Sequence, residues 1–216
     1  MTALAEVHKK DALDIVIGYI NEKPREFFKS IHQMLFWNKY MTASELVGVK
    51  NGLASFLKVF NAFSLLDLTN SLNDVRNYFS GKNVCDAKVL LSDTLGNIAD
   101  ATMWLTDTAK IAAISTGALN GLMALSGGML MISSLLNGTK DVAALANMKE
   151  DEKGNVLKII NVAKDTFLFM IGAIWFNTGW FIAPLFATAL TVCGLGMLIS
   201  NFTSYLIEKD HISVKA

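Results

Sequence analysis

Through the first half of the chain, apolar residues recur at three- and four-residue steps, as they do on helices with one apolar face. The pattern predicts a short helix over residues 5–22 that stops at Asn21-Glu22-Lys23-Pro24, because a proline disfavours helical backbone at the residue before it. A second helix, from Pro24 to about Tyr40, gathers Phe27, Phe28, Ile31, Leu35 and Phe36 on one side. Thr42 with Glu45 has the spacing of a capping box and opens a long amphipathic stretch. Leu46, Val49, Leu53, Phe56, Leu57, Phe60 and Phe63 share one face of it. After a change of phase near Leu65 to Asp67 the stripe resumes at Leu68, Leu72, Val75 and Phe79, with Asp67, Asn70, Asp74 and Asn77 opposite, and it ends at Gly81.

Residues 86–110 predict a further helix. Leu91, Leu95, Ile98 and Leu105 form its apolar side, while Asp86, Asp93, Asp100 and Asp107 stand at every seventh position and so drift only about 20° per heptad. The expectation is a solvated or interfacial carboxylate stripe, with the Leu/Ile side packed on the preceding amphipathic helix or on lipid headgroups.

From Ile111 to Thr139 no charge occurs, and about 20 apolar residues suffice to span a bilayer. Ile111 to Leu136 is therefore a transmembrane candidate. Its Gly117, Asn120, Gly121, Ser126, Gly127 and Gly128 are small or polar, suited to close helix contact and self-association. Residues 137–165 read as a polar interval centred on the loop Lys149 to Asn155. Thr166 to Ile207 again lacks Asp, Glu, Lys and Arg. Within it, Trp175 and Trp180 flank Asn177-Thr178-Gly179, the pattern of a turn bordered by interfacial aromatics. The arm Phe181 to Ile199 is long enough to cross. The arm Phe167 to Phe176 is too short unless it recruits Ile159 to Ala163 past Lys164 and Asp165, so it is expected to lie in the interface or to enter only partway. The organisation is thus residues 1–110 amphipathic helices, 111–136 a Gly-rich hydrophobic helix, 137–165 a polar loop or helix, 166–207 a C-terminal hydrophobic hairpin or single span, and 208–216 a tail.

Composition agrees with an all-α integral membrane protein: 52% of the 216 residues are hydrophobic and 18% charged, against about 25% charged in soluble domains. Basic and acidic residues balance and no basic run is threaded with aromatics, which argues against a nucleic-acid partner. Cys85 and Cys193 support neither a disulfide framework nor a zinc site, and Cys193 reads as a small buried hydrophobe. His8, His32 and His211 lie far apart, and Leu125 to Leu130 lacks the lysine of a phosphate loop, so no metal, cofactor or catalytic residue is expected. The apolar piece Ile15 to Ile20 is short and flanked by acids, against a cleaved secretory signal. Twelve basic residues before Ile111, five from Lys140 to Lys164 and two in the tail favour a cytosolic N-terminal region, and two crossings would place the tail there too.

The order of segments resembles the peroxin-11 family of peroxisome-elongating membrane proteins. Asn51 to Tyr78 is similar to that family's amphipathic helix, Ile98 to Ala112 to its segment with Asp100, Trp104, Leu105 and Lys110, and Met131 to Leu145 to its leucine-rich segment. Asn155 to Phe169 and Thr188 to Phe202 resemble the opening and the Gly/Leu/Ser-rich end of its C-terminal membrane region. Lys50, Lys58 and Arg76 stand where the family carries a fuller basic row. The resemblance implies a non-enzymatic protein of the peroxisomal or a related organelle membrane, with the bilayer as partner, a homo-oligomeric state, and an import receptor or fission machinery as further partners.

The leading expectation is membrane shaping: Leu53, Phe56, Leu57, Phe60 and Phe63 enter one leaflet, and Trp175 and Trp180 sit at the interface. A small channel or transporter using the Asp-bearing and Gly-rich helices is the alternative, since carboxylates at membrane depth mark ion paths. A bacterial inclusion-type effector anchoring a helical domain is a third.

Overall fold

The computed structural model describes residues 12–35, 64–82, 86–109, 115–147, 151–177 and 183–211. Every regular element among them is a helix: α1 Ala12–Glu22, α2 Pro24–Leu35, α3 over 64–79, α4 Ala87–Ala109, α5 Thr116–Ala146, α6 Glu152–Phe176 and α7 Ala183–Glu208. Leu53, Phe56, Leu57, Phe60, Phe63, Cys85 and Trp180 fall outside the described residues, as does the predicted stretch from Phe36 to Tyr40.

Local chemistry explains the ends. Lys23 separates α1 from α2, as Pro24 demands. At the end of α3, Gly81 takes a positive φ of 68°, Lys82 N–H donates to the Asn77 carbonyl at 2.9 Å and Gly81 N–H to that of Tyr78 at 3.0 Å, a Schellman ending. Asp210 (φ 55°) does the same after α7, with His211 and Asp210 donating to Leu206 and Ile207. Ser115 accepts from Ala118 N–H to open α5, and Asp151 accepts from Gly154 N–H at 2.9 Å to open α6, where its charge also suits the helix dipole.

These caps correct the expected boundaries. Helix α5 runs to Ala146 rather than Leu136, and α6 is one continuous helix of 25 residues that carries Lys164 and Asp165 inside it. The polar interval shrinks to the short link between Ala146 and Glu152. The supposed short arm does recruit Ile159 to Ala163. Among the described residues three helices are long and apolar enough to cross a membrane, over Gly117–Ala146, Glu152–Phe176 and Thr188–Glu208. At about 1.5 Å per residue, 25 residues reach beyond the roughly 30 Å of a hydrocarbon core.

The spans meet through small residues. Gly127 and Gly172 bring the α5 and α6 backbones together: a Cβ on Gly127 would lie 2.5 Å from the Gly172 carbonyl oxygen. Gly194 of α7 receives Met34 of α2, and Gly196 receives the Phe167 ring of α6. Ala99, Leu130, Ile171, Trp175, Leu190, Cys193 and Met197 form the core. Cys193 is buried and free, in keeping with its reading as a hydrophobe. Trp175, expected at a membrane interface, is instead a core residue at 3% exposure, because its position on α6 is the one that faces Gly127. Outward, the three spans present Leu125, Ile132, Leu135, Ile159, Met170, Val192 and Ile199, all about half exposed.

Charges are gathered at one end. Lys209 contacts Glu22 at 2.6 Å, Lys23 approaches Glu208 at 3.8 Å, and Lys153 holds Asp210 at 2.5 Å, tying α1, α6 and α7. The hydrogen bond to Glu22, with that carboxylate's charge, raises the exposed Lys209 ammonium above the usual lysine range. Beneath this cluster Tyr19 is 2% exposed and meets Phe27, Phe202 and Tyr205 edge-on or tilted. Burial, reinforced by Glu26, pushes its hydroxyl up to about 12. A raised pKa means that the stability Tyr19 contributes is intact below pH 10 and is lost as pH rises toward 12. Ultraviolet titration should therefore show a tyrosine step near pH 12 that Tyr19→Phe removes; a titration curve unchanged near that pH in the variant would contradict the packing of Tyr19 against Phe202 and Tyr205.

Candidate functional site

Helix α4 lies antiparallel on α5. Ser92 and Ser133 exchange hydroxyl donation to each other's backbone carbonyl at 3.0 and 2.9 Å, and two turns on Ser126 donates to the Ala99 carbonyl at 2.8 Å. Such interhelical hydroxyl bonds hold helices where water is scarce. Ser133 and Ser126 both lie within the apolar stretch Gly117–Ala146, so α4 lies along a helix long and apolar enough to cross a membrane. Helix α3 runs antiparallel along α4 in turn: Asn97 donates to Ser71 Oγ at 2.6 Å, and Asp74 lies close enough for its charge to be felt at Asp93.

Between them opens a polar cleft of about 520 Å³. From α3 come Asp67, Asn70, Ser71 and Asp74, which share a face at steps of three and four. Asp93, Asn97 and Asp100 come from α4, and Glu26 and Lys29 from α2. The floor is Leu130, Ser133 and Asn137 of α5 with Leu168 of α6. Among the described residues five carboxylates and the Lys29 ammonium line the cleft. That ammonium, Lys29 Nζ, sits 2.6 and 2.9 Å from the two oxygens of Asp100, and both side chains are mostly shielded.

Leu65, Leu72 and Phe79 of α3 are exposed, Phe79 at 83%, and so are Leu91 and Leu105 of α4, whereas Leu68, Val75, Leu95 and Ile98 are half-buried. Asn70, Asp74 and Asp93 border the cleft and are themselves exposed, while Asp100 is half-buried against Lys29. The four aspartates of the series also part company. Asp86 precedes the helix and caps it, accepting from Lys88 N–H at 2.8 Å. Asp93 and Asp100 line the cleft, and the side chain of Asp107 lies outside the description. Sequence reasoning did not find Lys29, Glu26 or Asn97 as partners; the i, i+4 pairing of Asp93 with Asn97 and the polar face opposite Leu72 were the available signals. No group of three metal-ligating side chains occurs among the described residues.

Comparison with protein-family models, with curated proteins and with solved structures gives no match to this chain. The fold itself defines an all-helical protein, and its three long apolar helices fit a membrane protein.

Proposed function

We propose that the chain is a non-enzymatic integral membrane protein in which α5, α6 and α7 cross the bilayer and the cleft beside them admits a small cation. One observation carries this reading: α3 and α4 bring Asp67, Asp74, Asp93 and Asp100 to one cleft alongside an apolar helix long enough to cross a membrane. Carboxylates at membrane depth are costly unless they line a water-filled path. The carboxylates described at the cleft would favour a cation, since a cleft of one sign with low-dielectric walls concentrates counter-ions roughly 10- to 1,000-fold. The test is rubidium uptake by phosphatidylcholine vesicles holding the full-length protein. Wild type should exceed empty vesicles, and Asp93→Asn with Asp100→Asn should cut uptake by about tenfold. Uptake no greater than in empty vesicles removes this reading.

A second reading is supported by the outward stripe of Leu65, Leu72 and Phe79, which continues the amphipathic pattern of residues 46–63. Membrane shaping of the peroxin-11 kind, in an organelle membrane and through a homo-oligomer, would use that face. Phe56→Glu with Phe60→Glu should then abolish liposome tubulation. The cleft reading stands first because α3 lies along α4 and beside the spans, whereas leaflet insertion calls for a helix lying flat in the interface.

A further inference from the structure

Ten polar side chains are buried among the described residues; nine are hydroxyls of Ser or Thr, and the tenth is Asp165. It stands in the middle of α6, inside the apolar stretch Glu152–Phe176, at 6% exposure. Its Cβ lies 3.7 Å from where a Cβ on Gly138 of α5 would be, so the carboxyl is set in the α5–α6 seam opposite a residue with no side chain. No hydrogen bond or ion pair reaches it among the described residues. The charged groups near it are Lys164 on its own helix and Asp141 on α5, and α7, which also packs on α6, carries no charge before Glu208. Lys164 makes no ion pair with it: the ammonium donates to Asn161 Oδ1 at 3.4 Å, and its charge offsets that of an ionised Asp165 only in part. Asp141 opposes a negative charge at Asp165 rather than offsetting it.

An ionised carboxylate in an apolar helix seam without an ion-pair partner is costly, and a bound proton lowers that cost without adding any heavy atom the seam must fit. We infer that Asp165 is a proton-binding site in the α5–α6 seam: the carboxyl is held as the neutral acid while the helices are closed and releases its proton only when the seam opens to water. Proton release is thereby coupled to separation of α5 from α6. The site does not depend on cation entry into the cleft, so each can fail without the other.

Infrared spectroscopy of the full-length protein in phosphatidylcholine vesicles tests it. At neutral pH the wild type should show the C=O stretch of a protonated carboxylic acid, shifted in deuterium oxide, and Asp165→Asn should remove it while Asp141→Asn leaves it in place. An acid band missing from the wild type, or unchanged in Asp165→Asn, overturns the inference; a carboxylate held by sodium or potassium would give the former. Should Asp165→Asn not fold, as judged by its circular dichroism, Asp165→Glu serves instead: its acid band should move in frequency, and a band that stays in place overturns the inference.

Discussion

Gly127→Ala is expected to loosen the α5–α6 pair and lower the melting temperature of the detergent-solubilised protein, although it adds one methyl group. The new Cβ would lie 2.5 Å from the Gly172 carbonyl oxygen and 2.6 Å from the Phe176 backbone nitrogen. Both obstacles are backbone, so no rotamer change relieves them and the helices must separate. Overpacking of this kind costs about 1–3 kcal/mol, and here the separation also strips contacts from Trp175 and Ile171 on the same seam. Gly121→Ala on the same helix is the control. A Cβ there meets nothing within 4 Å, and alanine is the better helix former by up to about 1 kcal/mol, so this variant should melt at or above the wild type. Equal melting of the two variants would show that α5 and α6 do not touch at Gly127.

That contrast marks what was legible in the sequence. The period of 3.6 identified the helices and their faces, and the glycines of residues 117–128 announced close packing. Which glycine makes the contact was not legible: Gly117 and Gly121 have the spacing of a close-contact motif, yet Gly127 is the one that meets Gly172. The number of apolar helices long enough to cross was missed for a related reason. Lys164 and Asp165 looked like the border of a membrane segment, but a helix carries such residues in its interior when Asp165 can turn into a seam and Lys164 can bond Asn161. The aspartate series shows the deepest limit. Periodicity states that Asp93 and Asp100 share a face of α4, and it does not state what that face meets. Only the partner helix, with Asp67, Ser71 and Asp74 on its matching face, decides that.

Lys29→Met should destabilise the bundle more than Asp100→Asn does, even though both remove the same ion pair. In the first variant the Asp100 carboxylate keeps its charge beside Glu26, Asp67, Asp74 and Asp93 and loses the Lys29 ammonium that contacts both of its oxygens. Loss of a hydrogen-bonded charge partner in a shielded site costs roughly 1.5–3 kcal/mol. In the second variant an amide oxygen still accepts from Lys29 and the cleft loses one negative charge, so the cost should stay near about 1 kcal/mol. Combining Lys29→Met with Asp100→Asn removes both halves of the contact, and the pair should therefore lose less than the sum of the single losses, by an interaction on the order of 0.5–3 kcal/mol. Denaturant unfolding of the three variants in detergent measures this. Rubidium uptake separates stability from transport, because Lys29→Met makes the cleft more negative and should raise cation entry while lowering stability, a pairing that simple unfolding cannot produce. Strict additivity of the three stabilities would mean that Lys29 and Asp100 do not meet, and the cleft would then lose the contact that joins α2 to α4.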